Sequence, residues 1–266
     1  MTKRTRLDAE LVRRGLARSR VQAADLIAAG QVRVSGQAAA KAATQVAQDA
    51  AITIQREETG PDYVSRGGHK LAGALAAFAG LEVAGRNCLD AGASTGGFTD
   101  VLLKAGAAHV VAADVGYGQL AWSLRSDTRV TVLDRVNVRN LQPGQVDPPP
   151  DLVTADLSFI SLSQVLPAIV ACASPDADFV LLVKPQFEVR KGKVGSGGVV
   201  RDPELRAGAV AAVARAALDL GLGVRGVTAS PLPGPSGNVE YFIWLQRGAP
   251  PLAEDDLCAA VAEGPQ

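Results

Sequence analysis

Apolar and polar positions change their rhythm twice along this chain. From Arg6 to Gly15, RLDAELVRRG repeats at helical spacing and places Leu7, Leu11 and Val12 on one face. SRVQAADLIAAG does the same after a Ser19 cap, with Val21, Ala24 and Leu26/Ile27 on its buried face and Gly30 as its stop. The period then shortens to alternation in QVRVSG, which ends in a Ser-Gly turn, and again in AITIQ beyond an Ala-rich loop. These elements predict a small α/β domain over residues 1–59. EETGPDYV, centred on Gly60-Pro61, is the strongest turn signal ahead of the second half and predicts an interdomain linker over residues 60–65.

Beyond that linker seven short apolar runs recur: NCLDAG, HVVAADV, VTVLD, DLVTADLS, FVLLVKP, VRGVTASP and VEYFIWLQ. Helical stretches separate all but the last two, which only a loop joins. Strands alternating with helices predict a parallel sheet covered on both faces, and the loop-joined last strand fits an antiparallel addition. The second domain is therefore expected over residues 66–266, a mostly parallel seven-stranded α/β fold. A chain of 266 residues is long enough for one substantial core and one small module.

Charge sharpens the division. The formal net charge of zero hides +4 over residues 1–60 and −4 over the remainder. A basic front on a mildly acidic body points to a polyanion held by the front. Arg4, Arg6, Arg13, Arg14, Arg18 and Arg20 lie on or beside the two short helices and, with Lys41, are expected to form a phosphate-facing patch. Cys88, Cys172 and Cys258 are dispersed and odd in number, which argues against a disulfide frame and, with only two histidines, against a metal site. The basic N-terminus has no signal-peptide core and no apolar stretch approaches a membrane span, so a cytoplasmic, membrane-free and monomeric protein is expected.

In LDAGASTGGFTDVLLKAGA a strand ends at Asp90, a Gly-rich turn covers Gly92, Ser94, Thr95, Gly96 and Gly97, and a helix begins near Phe98. The spacing lacks the G-x-G-x-x-G arrangement that cradles a pyrophosphate. S-adenosylmethionine carries no phosphate. Its ribose diol, adenine and cationic amino-acid arm call for close backbone approach and carboxylates instead. Asp90 fits that need, as does Asp114, which ends the next strand 22 positions after Gly92. Asp134 and Asn137, at the end of the third strand, are expected near the adenine edge.

Four polar residues stand out of apolar surroundings: Lys70 in SRGGHKL, Asp156 in TADLSFISL, Lys184 in VLLVKPQFE and Glu240 in SGNVEYFIW. Three of them lie at strand ends, where open α/β sheets keep their active sites. Methyl transfer to a ribose hydroxyl needs an oxygen aligned with the sulfonium and a group that takes its proton. Two lysines sharing one site can supply that group, and the two carboxylates can orient the amines. Which lysine is the base stays open. The Gly- and charge-rich stretch KPQFEVRKGKVGSGGVVRDPELR reads as a mobile flap over the substrate.

Read together, RLDAELVRRGLARSR, QVRVSG, VSRGGHKL, LDAGASTGGFTD, ADVGYGQLAW, ADLSFISL, LVKPQFE and SPLPGPSGNVEYF resemble the TlyA family of ribosomal RNA ribose methyltransferases, relatives of the FtsJ methyltransferases. The resemblance spans almost the whole chain. It implies a Rossmann-like class I S-adenosylmethionine-dependent methyltransferase domain behind an S4-like RNA-binding domain. By that likeness the family's K-D-K-E tetrad falls on Lys70, Asp156, Lys184 and Glu240, and cofactor contacts fall around Asp90, Gly92, Ser94, Gly96, Phe98 and Asp114. It also implies 2′-O-methylation of cytidine in 16S or 23S ribosomal RNA, with ribosomal RNA or its subunits as partner. One departure is GPDY ahead of VSRG, where the family carries an Arg and a Trp; Tyr63 is the aromatic available in their place. The sequence opposes three rival readings: a membrane-active haemolysin by the lack of a span, a dehydrogenase by the loop spacing, and a non-catalytic assembly factor by the intact tetrad.

Overall fold

The computed structural model describes residues 4–17, 19–39, 41–47, 49–54 and 62–264. The chain divides into two compact units, Met1–Asp62 and Tyr63–Gln266.

In the first unit β1 (Arg4–Arg6) runs directly into α1 (Leu7–Arg13), and α2 (Arg20–Ala28) follows. The Ser19 hydroxyl caps α2 by accepting from Gln22 N at 3.2 Å. Next come β2 (Val32–Val34), β3 (Gln37–Ala38), β4 (Gln45–Ala47) and β5 (Ile52–Ile54). Ser35 and Gly36, at φ 51° and 84°, make the tight turn that lets β3 pair back on β2, while β5 pairs with the other edge of β2. β1 and β4 form a separate ladder. Leu7, Leu11, Ala23, Ile27, Val32, Val46 and Ile52 make the core. The buried stripe of α2 is thus Ala23 and Ile27. Val21, expected inside, is 73% exposed. VQAADLIA is apolar on several sides, so its periodicity did not select one face. The two- and three-residue strands β1, β3 and β4 are too short to show alternation.

The second unit runs α3 (Gly67–Ala77), β6 (Asn87–Ala91), α4 (Gly97–Lys104), β7 (His109–Asp114), α5 (Trp122–Arg125), β8 (Val130–Asp134), β9 (Leu152–Ala155), α6 (Leu166–Cys172), β10 (Asp178–Val183), α7 (Pro185–Glu188), α8 (Pro203–Leu218), β11 (Leu222–Ala229), β12 (Tyr241–Arg247) and α9 (Glu254–Glu263). The strands form one seven-stranded sheet ordered β11-β12-β10-β9-β6-β7-β8. All are parallel except β12, which is wedged between β10 and β11 and antiparallel to both. Leu89, Val111, Leu181 and Ile243 pack beneath α6, α8 and α9 on one face. Val110, Val180, Leu182 and Phe242 pack beneath α3 and α4 on the other. Burial on both faces is why these strands read as unbroken apolar runs. Successive strands leave β6 in one direction and β9 in the other. β6 and β9 are neighbours, so the C-terminal ends of these two strands flank the switch point at which such sheets bind ligands.

The stretch after Lys184, expected as a mobile flap, is tied at both ends. Asn238 Oδ1 accepts from Val200 N at 2.9 Å and its amide donates to Gly198 O at 2.9 Å. Glu188 is held to the loop after β9. Short 3-10 turns at Lys191–Lys193 and Ser196–Gly198 occupy the middle.

Candidate active site

Glycine is required where the loop after β6 meets the end of β9. A Cβ at Gly92, whose φ is +86°, would lie 2.7 Å from the carbonyl oxygen of Asp156. Gly96, at φ +98°, is the N-cap of α4, and a Cβ there would strike Leu124. A Cβ on Gly97 would strike Ser65 Oγ at 2.4 Å, so the first turns of α3 and α4 touch through glycine.

Four N–H groups of this loop are spent internally. Gly92 N and Ala93 N donate to Ala113 O, Gly96 N donates to Ala93 O, and Ser94 N donates to Asp114 Oδ2 at 2.9 Å. Those four donors are not available to a pyrophosphate. Carboxylates gather instead. Asp114 Oδ1 accepts from Gly116 N at 2.7 Å, which leaves each of its oxygens a second lone-pair direction for a diol. Asp90, fully buried beneath the loop, accepts from the Thr99 hydroxyl at 2.6 Å through Oδ2, while Oδ1 has no partner. The loop therefore fits a cationic, phosphate-free ligand.

Burial pushes the Asp90 carboxyl up to about 7, against the opposing hydrogen bond from Thr99. In the unfolded chain the same group ionises near the ordinary carboxylate value. Between those two pH values the folded state holds the proton that the unfolded state has lost, so stability falls as pH rises from ~4 to ~7 and then levels off. Asp90→Asn should remove that slope. In urea melts the variant should gain on the wild type by at least ~1 kcal/mol between pH 5 and pH 8, and an equal difference at both values would refute the shift.

The remaining residues expected at the cofactor divide. Ser94 and Thr95 are exposed at the loop tip. The Phe98 ring is buried against Phe242, with centroids 5.9 Å apart, so it serves the core and only its backbone is left to a ligand. Asp134 accepts from Arg125 at 2.8 Å and from Gly118 N at 3.3 Å, and the guanidinium holds its carboxyl below the usual range. Asn137 Oδ1 caps a 3-10 turn by accepting from Arg139 N at 3.1 Å. Both side chains thus have local structural partners.

The four conspicuous polar residues meet at one end of the sheet. Lys70, on the second turn of α3, donates to Glu240 Oε2 at 2.5 Å, and both side chains are buried. Glu240 Oε1 has no partner. Lys184 Nζ lies 2.6 Å from Asp156 Oδ1, an ion contact off the angle of a hydrogen bond, and donates to Ser158 Oγ at 3.0 Å. The β10-β12 register, Val183 opposite Tyr241, places Lys184 and Glu240 as the next pair outward. A Cβ on Gly67 would be 4.0 Å from Asp156 Oδ2, which brings the first turn of α3 to the same cluster.

Sequence reasoning missed Ser158, Phe159 and Phe187. Phe159 is 91% exposed and held at φ +65°, a conformation that costs a bulky residue free energy. Its ring lies 5.2 Å from that of Phe187, and Lys184 Nζ is 6.0 Å from the Phe187 centroid. ADLSFISL and LVKPQFE were visible as motifs, but nothing in either indicates that the two loops face each other. Tyr63 is buried: its ring meets the His69 edge at 5.1 Å and Lys104 Nζ lies 4.8 Å from its centroid.

In the first unit two buried acids organise the arginines. Asp8 Oδ2 binds Arg6 and Arg20, each at 2.9 Å, and Glu10 Oε1 binds Arg13 at 2.6 Å and Arg14 at 2.7 Å. Arg6 holds the Asp8 carboxyl well below its usual range, and Arg13 then Arg14 do the same for Glu10. Arg14 also donates to Ala50 O and is mostly covered. Arg6, Arg13 and Arg20 keep exposed guanidinium faces, and Arg4 and Lys41 are exposed. Arg18 lies outside the described residues.

A Gly-rich loop at the switch point of a seven-stranded sheet, carboxylates beside it and two lysines each ion-paired to a carboxylate at the same end of that sheet define the class: a Rossmann-like methyltransferase, here preceded by an S4 domain. The FtsJ-like methyltransferase family matches residues 63–247 and the S4 domain matches residues 5–52. The chain belongs to the TlyA family: it is 63% identical, over 100% of both chains, to the 16S/23S rRNA (cytidine-2′-O)-methyltransferase TlyA of Mycobacterium tuberculosis. A solved structure of a provisionally named hemolysin from Streptococcus thermophilus is similar at TM-score 0.79 and 35% identity, over 99% of this chain and 96% of that one. A provisionally named S-adenosylmethionine dependent methyltransferase from Listeria monocytogenes shares the fold at TM-score 0.50 and 14% identity, over 69% of this chain and 99% of that one. Among the described residues no helix is long and apolar enough to cross a membrane.

Proposed function

We propose that this protein transfers a methyl group from S-adenosylmethionine to the 2′-oxygen of cytidine in 16S or 23S ribosomal RNA, in the cytoplasm. The observation that carries the reading is Lys184, seated between Asp156 and Ser158 beside a loop suited to a cationic ligand. The donor supplies a methyl group already activated on a sulfonium. The protein's task is alignment and handling of one proton. Lys184 first releases its ammonium proton to solvent; the free amine then takes the hydroxyl proton as the oxygen attacks, and Asp156 stabilises the ammonium that re-forms. The buried Lys70–Glu240 pair holds α3 against the sheet end and keeps that wall of the site rigid. Asp114 receives the ribose diol of the donor. Phe159, projecting into solvent, offers a ring on which an extruded base can stack.

Labelled methyl transfer to ribosomal subunits lacking the modification tests this directly. A 2′-O-methylcytidine mapped in either RNA is the expected product. Methyl on a base, or no transfer to subunits or free RNA despite measured donor binding, would overturn the reading, and the second outcome would favour an RNA-binding assembly factor.

The S4 domain is proposed to position RNA through phosphates, which makes its contribution salt-dependent and sequence-blind. Arg4→Glu with Lys41→Glu tests this without stripping Asp8 or Glu10 of its cations. The slope of log Kd against log salt should shrink by about 1.5, from two lost contacts at about 0.7–0.9 each. An unchanged slope would place the RNA path elsewhere.

A further inference from the structure

We infer that Glu188 is a positioning residue of the methyl transfer, a clamp that sets the spacing between the Asp156 loop and the Lys184 loop. The inference rests on the reading of this site as a ribose methyltransferase. Glu188 ends α7, four residues after Lys184, and its two oxygens grip the other loop at adjacent points: Oε2 accepts from Ser161 Oγ at 2.5 Å and Oε1 from Leu162 N at 2.8 Å. Ser161 follows Asp156 by five residues and shares its hydroxyl with Ser163 Oγ at 2.7 Å, which fixes the rotamer Glu188 meets.

Along both segments the bridges from Lys184 and Phe187 come between the strand end and the clamp. Lys184 reaches across to Asp156 and Ser158, and Phe187 reaches across to Phe159. Among the described residues no cation comes within ion-pair distance of Glu188, and partial burial raises its pKa above the usual value. Packing alone would be met at less cost by an apolar side chain. What the carboxylate adds is two simultaneous acceptors on one short stem, so neither loop can slide along the other. A displacement of about 1 Å between reacting groups costs on the order of 10²-fold in rate, which makes this spacing matter to turnover rather than to binding.

The test is kinetic, on the full chain with ribosomal subunits and S-adenosylmethionine. Glu188→Ala should lower kcat by about 10²-fold, with donor Kd changed by less than about twofold and the KM for subunits by less than about threefold. Glu188→Gln should recover to within about threefold of wild type, because its amide oxygen can accept from Leu162 N while its NH₂ faces Ser161 Oγ. In a Phe159→Ala background, Glu188→Ala should cost much less than it does alone, since residues acting through one geometry are not additive. Ser161→Ala, which removes one of the two bonds, carries the test if Glu188→Ala does not fold, with a loss of about tenfold expected. The inference is overturned if Glu188→Ala keeps kcat within about threefold, if the Gln variant is as slow as Ala, or if the Glu188 and Phe159 effects simply multiply. Absence of transfer by the wild type would instead overturn the methyltransferase reading itself.

Discussion

Lys184→Ala is expected to lower kcat for methyl transfer by at least about 10³-fold while donor affinity stays within about twofold. The amine touches Asp156 and Ser158 and makes no contact with the Gly92–Gly97 loop proposed to hold the donor among the hydrogen bonds and ion pairs of the described residues, so its loss should remove a proton acceptor without opening that loop. Lys184→Arg separates proton handling from charge. A guanidinium keeps the positive charge and can still bridge to Asp156, but it cannot give up its proton in a protein. Arg should therefore be as inactive as Ala. Turnover retained by Arg would make Lys184 an electrostatic group only, and turnover retained by Ala would remove it from the mechanism. Single-turnover transfer with isothermal titration of the donor reads both quantities.

Glu240→Ala is expected to be the most destabilising single change at the site. It strands the Lys70 ammonium, whose side chain is 6% exposed, without the one carboxylate it meets among the described residues. Breaking a buried pair from one side costs roughly 3–5 kcal/mol. In a domain of this size that is on the order of 10 °C in Tm. Replacing both partners together, Lys70→Met with Glu240→Leu, should recover most of the lost stability, since apolar residues of similar volume remove the uncompensated charge. The double variant should nonetheless transfer methyl more slowly than the wild type, because apolar packing lacks the directional bond that fixes α3 at the sheet end. Tm unchanged in Glu240→Ala would mean that water reaches the pair, and full activity in the double variant would mean that packing alone holds that wall of the site in place.

How much of this site could be read from the chain depended on where each partner lay. All seven strands of the sheet were legible: in the five inner strands burial on both faces leaves almost no polar residue within a run and makes Asp90, Asp156, Lys184 and Glu240 conspicuous at the boundaries, and the partly exposed edge strands β8 and β11 still carry enough apolar residues to read as short runs. The Gly92–Gly97 turn was legible because only glycine meets its φ values and its close approach to Asp156. Asp134 and Asn137 are expected near the adenine edge from strand-end position, and Phe98 at the cofactor from the family likeness. Neither source reveals that their side chains also meet Arg125, the Arg139 backbone and Phe242. Nothing in the sequence marks Asp8 and Glu10 as buried. Their burial becomes evident only when β1, β4 and α2 close around α1.

By itself, then, the sequence determined the sheet, the Gly-rich turn, the four polar residues that meet at one end of the sheet and the basic character of the front domain. Each of these is set by local period, by backbone strain or by a charge that an apolar run cannot tolerate unless it is placed at an end. Tertiary structure alone decided that β12 is inserted rather than appended, that the two lysines sit in separate ion pairs, and that Phe159 meets Phe187. It also decided that Glu188 closes on Ser161 and Leu162. Those contacts join segments about 25 or more residues apart, across loops whose composition carries no period, so they exist only once the sheet has brought the strand ends to one edge.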